Sequence, residues 1–320
     1  LSTVMFLFAQ NIILYTTFFI SMGIWTGLYH PAANSLISKE FSGTTGEAMG
    51  LHGAGGTIGI VFTPVLSLAV GLIFGWRISF VVFGVFAVAT AMLVWKSRFR
   101  QERNATKYRF RDVFNIPSLR LLLLFNFTIG LYMKGVELYL PLYLARGPLN
   151  FLGDEGAKSW AAVSTTTMLL CGALGQWLGG RQTDVLGPRK VLIATSSLVL
   201  LSFILLVFTP LSLWFVAVAA FAILYGIAFY GHQPAFNSLA GFLTPKNRRG
   251  IVYGVLFFVS FGMGSISQAI TGYLSDNMGI TSAFYVLTFF AAAALLLSFF
   301  ISSAKETSTQ FKTEYETEEP

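Results

Sequence analysis

Two charged side chains lie one helical turn apart in an otherwise apolar part of the sequence. Lys134 and Glu137 are the only charged residues between Leu121 and Leu144. Residues three positions apart lie on the same side of a helix, so these two side chains can pair with each other. A charge near the centre of a membrane-spanning helix costs roughly 2.5–3.5 kcal/mol, so it should face a partner or a water-filled cavity. The pair therefore indicates a polar site inside the molecule.

The composition is that of a membrane protein. Of the 320 residues, 55% are hydrophobic and 11% are charged, whereas a soluble domain carries about 25% charged residues. Runs of apolar residues are long enough to cross a bilayer, and in lipid they must be helical to satisfy their backbone groups. The sequence has no HExxH motif and no Gly-rich ATP-binding loop. With a single cysteine, Cys171, it also has no cysteine cluster, so we predict a non-enzymatic protein without metal or cofactor.

The apolar runs predict an all-α membrane bundle with nine full spans and a short apolar segment, 1–9, before them. We expect the spans at roughly 12–38, 49–73, 78–95, 119–145, 159–180, 190–209, 212–239, 250–274 and 280–303.

Positive charge is concentrated on one side of these spans. Seventeen of the 21 Lys and Arg residues fall in one set of connections and the helix ends that adjoin them. These connections are 39–48, 96–118, 181–189, 244–249 and the tail 304–320. The positive-inside rule predicts that this side, including the polar and disordered tail, is cytoplasmic in a plasma-membrane protein. The basic loop is expected to contact anionic lipid rather than nucleic acid.

The sequence contains an internal repeat. The segment "GIWTGLYHPAANSL" begins at Gly23, and "GIAFYGHQPAFNSL" begins at Gly226. Gly46 and Gly75 match Gly250 and Gly279 at a similar spacing, which makes 10–98 and 213–302 two copies of a three-helix unit. Three helices precede the second copy but not the first. The repeat therefore predicts a twelve-helix parent, made of two six-helix halves, that lacks here the first two helices and most of the third.

The divisions that follow are 1–95 for the remainder of the N-terminal half, 96–118 for the central loop, 119–303 for the complete C-terminal half and 304–320 for the tail.

The segment "GGRQTDVLGPRKVLI" resembles the G-x-x-x-D-x-x-G-x-[RK]-[RK] loop of the major facilitator superfamily. The matching residues are Gly180, Asp184, Gly187, Arg189 and Lys190, although Val185 stands where the family has a basic residue. The resemblance implies that Asp184 faces the N-terminus of the helix that starts near Gly250, behind Arg248 and Arg249, and closes a cytoplasmic gate. A loop that serves only topology is the alternative.

A weaker resemblance concerns the branch within this family. The segments "YHPAANSLIS" and "AMGLHGAGGTIG" are similar to fosmidomycin-resistance-like members. Drug exporters of the family often carry an Arg where this sequence has Phe19, and Gly where it has Thr63 and Ser67. These departures argue against assignment as a drug/proton antiporter.

The resemblance implies a central cavity lined by the first and fourth helices of each half. Helical periodicity places Asn126, Lys134 and Glu137 on one stripe of the span 119–145. Corresponding stripes in the repeated spans contribute His30, Asn34, Gln233 and Asn237. For His30, Asn34 and Asn237, hydrogen bonding between helices is an equal alternative. We expect His52 to be structural.

Three roles of the charged pair stay open: an inert ion pair, a receptor for an anionic substrate group at Lys134, and a proton carrier at Glu137. The expectation is a secondary transporter, monomeric and surrounded by lipid, that moves a small polar or anionic organic solute by alternating access with protons as coupling ion. The alternatives are a non-transporting receptor or scaffold, or an inactive fragment, on the same fold.

Overall fold

The computed structural model describes residues 2–96, 113–114 and 117–301. Most of the basic loop 96–118 and the tail 304–320 lie outside the described residues. The described part contains ten helices of nine or more residues: α1 (Ile12–Glu40), α2 (Thr45–Phe74), α3 (Trp76–Lys96), α4 (Pro117–Arg146), α5 (Gly153–Leu186), α6 (Pro188–Phe208), α7 (Trp214–Phe242), α8 (Arg249–Phe257), α9 (Ile266–Met278) and α10 (Ile280–Phe300). We refer to α1–α3 as the first half and to α4–α10 as the second half.

The helices α8 and α9 form one continuous run. A π-helical turn, Phe258–Gly262, and a 3₁₀ turn, Met263–Ser265, join them. The predicted span 250–274 is therefore helical, but it contains a local change of hydrogen-bonding pattern, which in many proteins marks a functional site.

Eight helices or helix runs in the described residues are long and apolar enough to cross a membrane. Helix α5, which covers the predicted span 159–180, is 34 residues long but is not among them. Its first turn carries Asp154 and Glu155, and its middle contains Gln176. The prediction of nine apolar spans is thus not confirmed. The reason is that α5 packs between α2 and α7, where polar side chains find partners in protein rather than lipid.

The hydrophobic core lies in the second half. Phe203, Phe221, Tyr225 and Phe284 are almost completely inaccessible to solvent there. In the most apolar part of α4, 67% of residues are buried, against 6% for α1 and α2 and 11% for α3. The helices of the first half therefore present most of their apolar surface outward.

Two turns of the same geometry occur at positions that the repeat relates. Gly75 ends α2 with φ +86°, and Gly279 ends α9 with φ +84°. Gly187, in the predicted gate motif, has φ +86° between α5 and α6. Left-handed backbone favours Gly because it has no Cβ. The sequence match between Gly75 and Gly279 thus has a conformational cause.

Glycines allow α5 to touch its two neighbours backbone to backbone. A Cβ at Gly179 would collide with the carbonyl of Gly231 in α7. On the opposite side, a Cβ at Gly50 of α2 would lie 2.5 Å from the carbonyl oxygen of Gln176. In lipid there is no hydrophobic driving force between helices, so they associate through close van der Waals packing, which small residues at such crossings permit. Helix α5 thereby connects the first half to the second.

We expect Gly179→Ala to destabilise the bundle, because the contact with Gly231 is with backbone and cannot yield without moving a helix. Overpacking of this kind costs about 1–3 kcal/mol. Unfolding of the purified protein in mixed micelles measures the effect. The matched control is Gly59→Ala in α2, where a Cβ meets nothing within 4 Å. Equal stability of the two variants would contradict the packing described here.

Candidate functional site

A cavity of about 550 Å³ lies between the two halves. Its wall is built by α1 and α2 from the first half and by α4, α5, α7 and α8 from the second. Six of the seven predicted cavity residues line it: His30, Asn34, Asn126, Glu137, Gln233 and Asn237. Lys134 is not part of the wall.

The charged pair is formed, and its two members have different surroundings. Lys134 Nζ lies 2.6 Å from Glu137 Oε2. The Lys134 side chain is 15% exposed, and its ammonium also lies 4.5 Å from the centre of the Phe261 ring. The Glu137 side chain is 47% exposed and lines the cavity. A cation held by a carboxylate and an aromatic face is well stabilised, so Glu137 is the member that a solute in the cavity would meet.

Asn126 connects α4 to the irregular part of the α8–α9 run. Its amide donates a hydrogen bond of 2.6 Å to the carbonyl of Leu256, which precedes the π turn. One turn further along the same stripe, Gly130 lies against the backbone of Ser260 and Gly264. This stripe therefore serves two purposes, close helix crossing at Gly130 and cavity lining at Asn126 and Glu137.

Aromatic rings form the part of the wall next to α1. The His30 ring stacks on Phe257 of α8 with centroids 5.1 Å apart. Tyr29 lies 5.4 Å from His30 and 5.8 Å from His52, measured between ring centroids. His52, for which the sequence predicts a structural role, lines the cavity as well. One turn of α2 brings it to the same wall as Gly53 and Gly56.

Sequence reasoning missed two polar residues of the cavity, Thr57 and Gln176. The Thr57 hydroxyl donates to Gln176 Oε1 at 2.8 Å, and Gln176 Nε2 donates to Gln233 Oε1 at 2.9 Å. Thr57 and Gln176 are 2% and 3% exposed. The available signal was a lone Gln in the Gly-rich segment "CGALGQWLGG", since a buried amide in a membrane helix needs partners.

Asp184 of the predicted gate motif binds the N-terminus of α2. Its two carboxylate oxygens accept hydrogen bonds of 2.8 Å from the backbone amides of Gly46 and Glu47. The prediction that Asp184 faces the helix starting near Gly250 is therefore wrong. Gly46 is the repeat counterpart of Gly250, so the type of contact is as expected but the helix belongs to the first half. The cause is the packing of α5 along α2, which brings the end of α5 to the start of α2.

A second contact between the halves lies close by. The buried guanidinium of Arg249, at the start of α8, donates to the carbonyl of Ser38 near the end of α1 and to that of Thr244. A cation is favoured at a helix C-terminus, where carbonyl groups lack partners within the helix. Both contacts lie at the end of the bundle that holds the connections 39–48, 181–189 and 244–249, which we call the basic end.

The remaining gate residues have varied surroundings. Gly180 touches the backbone of Gly46, and Gly187 forms the turn described above. Arg189 donates to the carbonyl of Phe299 at the end of α10. Lys190 is exposed and Arg248 is half-buried.

A bundle of membrane-spanning helices around a polar cavity, with an ion pair on its wall and helix-end contacts at one side, has the features of a secondary transporter. A family model described as the Major Facilitator Superfamily matches residues 1–268 and, in a second match, 150–317. The chain therefore belongs to the Major Facilitator Superfamily, a family of multi-pass membrane transporters, which fits a non-enzymatic function.

Three similar proteins illustrate the relationship. The chain is 26% identical over 298 residues to the uncharacterised MFS-type transporter YuxJ of Bacillus subtilis, covering 88% of this chain and 74% of that protein. It is 22% identical over 288 residues to the fosmidomycin resistance protein of Escherichia coli, covering 87% and 68%. The fucose:proton symporter FucP of E. coli has a similar structure, with a TM-score of 0.70 and 19% identity over 94% of this chain and 81% of that one. The fosmidomycin-resistance resemblance thus appears among the relatives, and FucP shows the fold.

We expect Asp184→Asn to loosen the start of α2. The amide nitrogen of Asn cannot accept a hydrogen bond, so one of the two backbone donors loses its partner, and the favourable charge at the helix N-terminus disappears. A loss of about 1 kcal/mol would raise local amide exchange about fivefold. Hydrogen exchange of the peptide around Gly46 measures it. Asp154→Asn is the control, because Asp154 is exposed at the far end of α5. Unchanged exchange in Asp184→Asn would contradict the contact.

Proposed function

We propose that this chain is a secondary active transporter that moves a small polar or anionic organic solute by alternating access, with protons as the coupling ion. The observation that carries the proposal is the ion pair whose carboxylate, Glu137, lies on the wall of the cavity between the halves. Family membership supports transport, and FucP is by its name a proton symporter. We further propose a monomer in the plasma membrane with the basic end, and the C-terminus, on the cytoplasmic side.

Coupling would arise at Glu137. In this structure Lys134 pairs with the carboxylate, and helices of both halves build the cavity that the carboxylate lines. Rocking of the halves would change the number of waters and the charges around the carboxylate. Such a change links protonation to conformation, because each protonation state then favours one arrangement of the halves.

The gate would be the pair of helix-end contacts at the basic end. Asp184 holds the start of α2, and Arg249 holds the end of α1. Both join the first half to the second, so both must break before the cavity can open at that end. Hydrogen bonds to helix ends suit this purpose, because water can replace each partner when the contact separates.

Glu137→Gln tests the coupling. In proteoliposomes that contain the full chain, we expect uptake of radiolabelled L-fucose or fosmidomycin driven by a pH gradient to be lost. Exchange of the same solute across the membrane should persist, because exchange needs no net proton movement. The control is Glu155→Gln, at an exposed position in the first turn of α5. Unchanged gradient-driven uptake, equally sensitive to a protonophore, would end the coupling role of Glu137.

The double variant Lys134→Met/Glu137→Gln separates a functional pair from an inert one. An inert ion pair replaced by two neutral side chains should restore the activity that Lys134→Met alone loses, since no unpaired charge remains. A coupling carboxylate predicts that the double variant is as defective as Glu137→Gln. Uptake in proteoliposomes and unfolding in micelles, measured on the same preparations, distinguish these outcomes.

A wild-type chain that binds a probe but never transports it would favour the receptor or scaffold alternative.

A further inference from the structure

The hydrogen bonds between Thr57, Gln176 and Gln233 run in one direction across the interface of the halves. The Thr57 hydroxyl donates to Gln176 Oε1, and the Nε2 of the same amide is directed at Gln233 Oε1. The bond to Gln176 in turn fixes the amide of Gln233. Both hydrogens of Gln233 Nε2 are then left over, and the hydrogen bonds of the described residues include none from this nitrogen. Gln233 lines the cavity.

The surroundings of Gln176 allow it little freedom. A Cβ at Gly53 of α2 would lie 2.7 Å from Gln176 Nε2, so a larger residue there would displace the amide. Thr57, one turn further along α2, then reaches Oε1 of the same amide. The sequence thus places a Gly and a Thr on one face of α2 to seat a buried Gln of α5. The Gln176 amide is therefore held between α5, which carries it, and α2. It in turn holds the amide of Gln233 on α7.

We infer that Thr57 and Gln176 are positioning residues that present Gln233 Nε2 as a fixed hydrogen-bond donor, so that the transported solute is recognised there through an acceptor oxygen. The inference rests on the proposed transport function and makes its solute class more specific. Thr57 belongs to the first half and both glutamines belong to the second. The series of hydrogen bonds from Thr57 through Gln176 to Gln233, which we call the relay, is therefore complete only while the halves meet at the basic end. It therefore ties recognition of the solute to that closed arrangement.

A preoriented donor selects by chemistry rather than by size. A solute with a hydroxyl, carboxylate or phosphonate oxygen can accept the bond, and an apolar cation without oxygen leaves the donor unpaired. Each net hydrogen bond contributes about 0.5–1.5 kcal/mol, which is about two- to tenfold in affinity. The Thr57 variants leave the Lys134–Glu137 pair in place, so a comparison among them isolates the Gln233 donor.

Solute binding tests the donor. In the purified full chain we expect Thr57→Val to weaken L-fucose and fosmidomycin about three- to tenfold and to leave tetraphenylphosphonium unaffected. Thr57→Ser should restore the oxygen-bearing probes, since it returns the hydroxyl. Thr63→Val is the control, because that hydroxyl bonds its own helix at Gly59. The inference is overturned if Thr57→Val and Thr63→Val bind the probes alike, or if all three probes weaken equally.

Alkylation tests the dependence on the closed arrangement without any solute. Cys171 is replaced by Ser, and Ser38→Cys reports on the basic end, where Ser38 is 2% exposed. We expect Thr57→Val to speed maleimide labelling of this cysteine about threefold or more, and Thr57→Ser and Thr63→Val to leave it unchanged. Equal labelling in Thr57→Val and Thr63→Val would overturn the relay. This result stands even if transport itself fails, because labelling requires none of the probes to be carried.

Discussion

A charge inside a membrane helix must be kept away from lipid, and the arrangement of this protein follows from that constraint. Lys134 is held by Glu137 and the face of Phe261, while Glu137 reaches the cavity. Helices of both halves converge around this cavity, which gives the carboxylate a polar surrounding. The polar residues on α1, α2, α5 and α7 then serve one enclosure rather than separate sites. This cavity is the feature of the chain that fits its membership of a transporter family.

The contacts between the halves are of two physical kinds. Along α5, backbone meets backbone at Gly50 and Gly180, with no side chain between. At the basic end, Asp184 and Arg249 satisfy the ends of helices of the other half. The first kind brings helices close together with no side chain between them, and the second consists of discrete bonds that water can replace. A molecule built in this way can hold one closed arrangement and still leave it at modest cost, as the alternating access that we propose requires.

The sequence predicted the membrane bundle and most helix positions, and six of the seven residues that it proposed for a cavity line the one observed. Those features depend on local quantities, such as the length of apolar runs and the period of a helix. The partner of Asp184 could not be predicted in the same way. The repeat creates two equivalent helix starts, at Gly46 and Gly250, and the sequence contains nothing that chooses between them. Gln176 was not predicted as a cavity residue for a similar reason, because its partners Thr57 and Gln233 are far away in sequence. The count of nine spans is not confirmed at α5, where packing against α2 and α7 permits polar residues and lowers the hydropathy of the helix.

Glu137 lines the cavity, whereas its immediate neighbour Leu138 is exposed outside it. Cysteine substituted at either position, in a chain with Cys171→Ser, tests this directly with a charged, water-soluble methanethiosulfonate reagent. Leu138 is a matched comparison, since it is 51% exposed but does not line the cavity. The account predicts rapid labelling of Glu137→Cys, slowed by a bound solute, and no labelling of Leu138→Cys. Equal reactivity at the two positions, or labelling of Leu138→Cys alone, would contradict it.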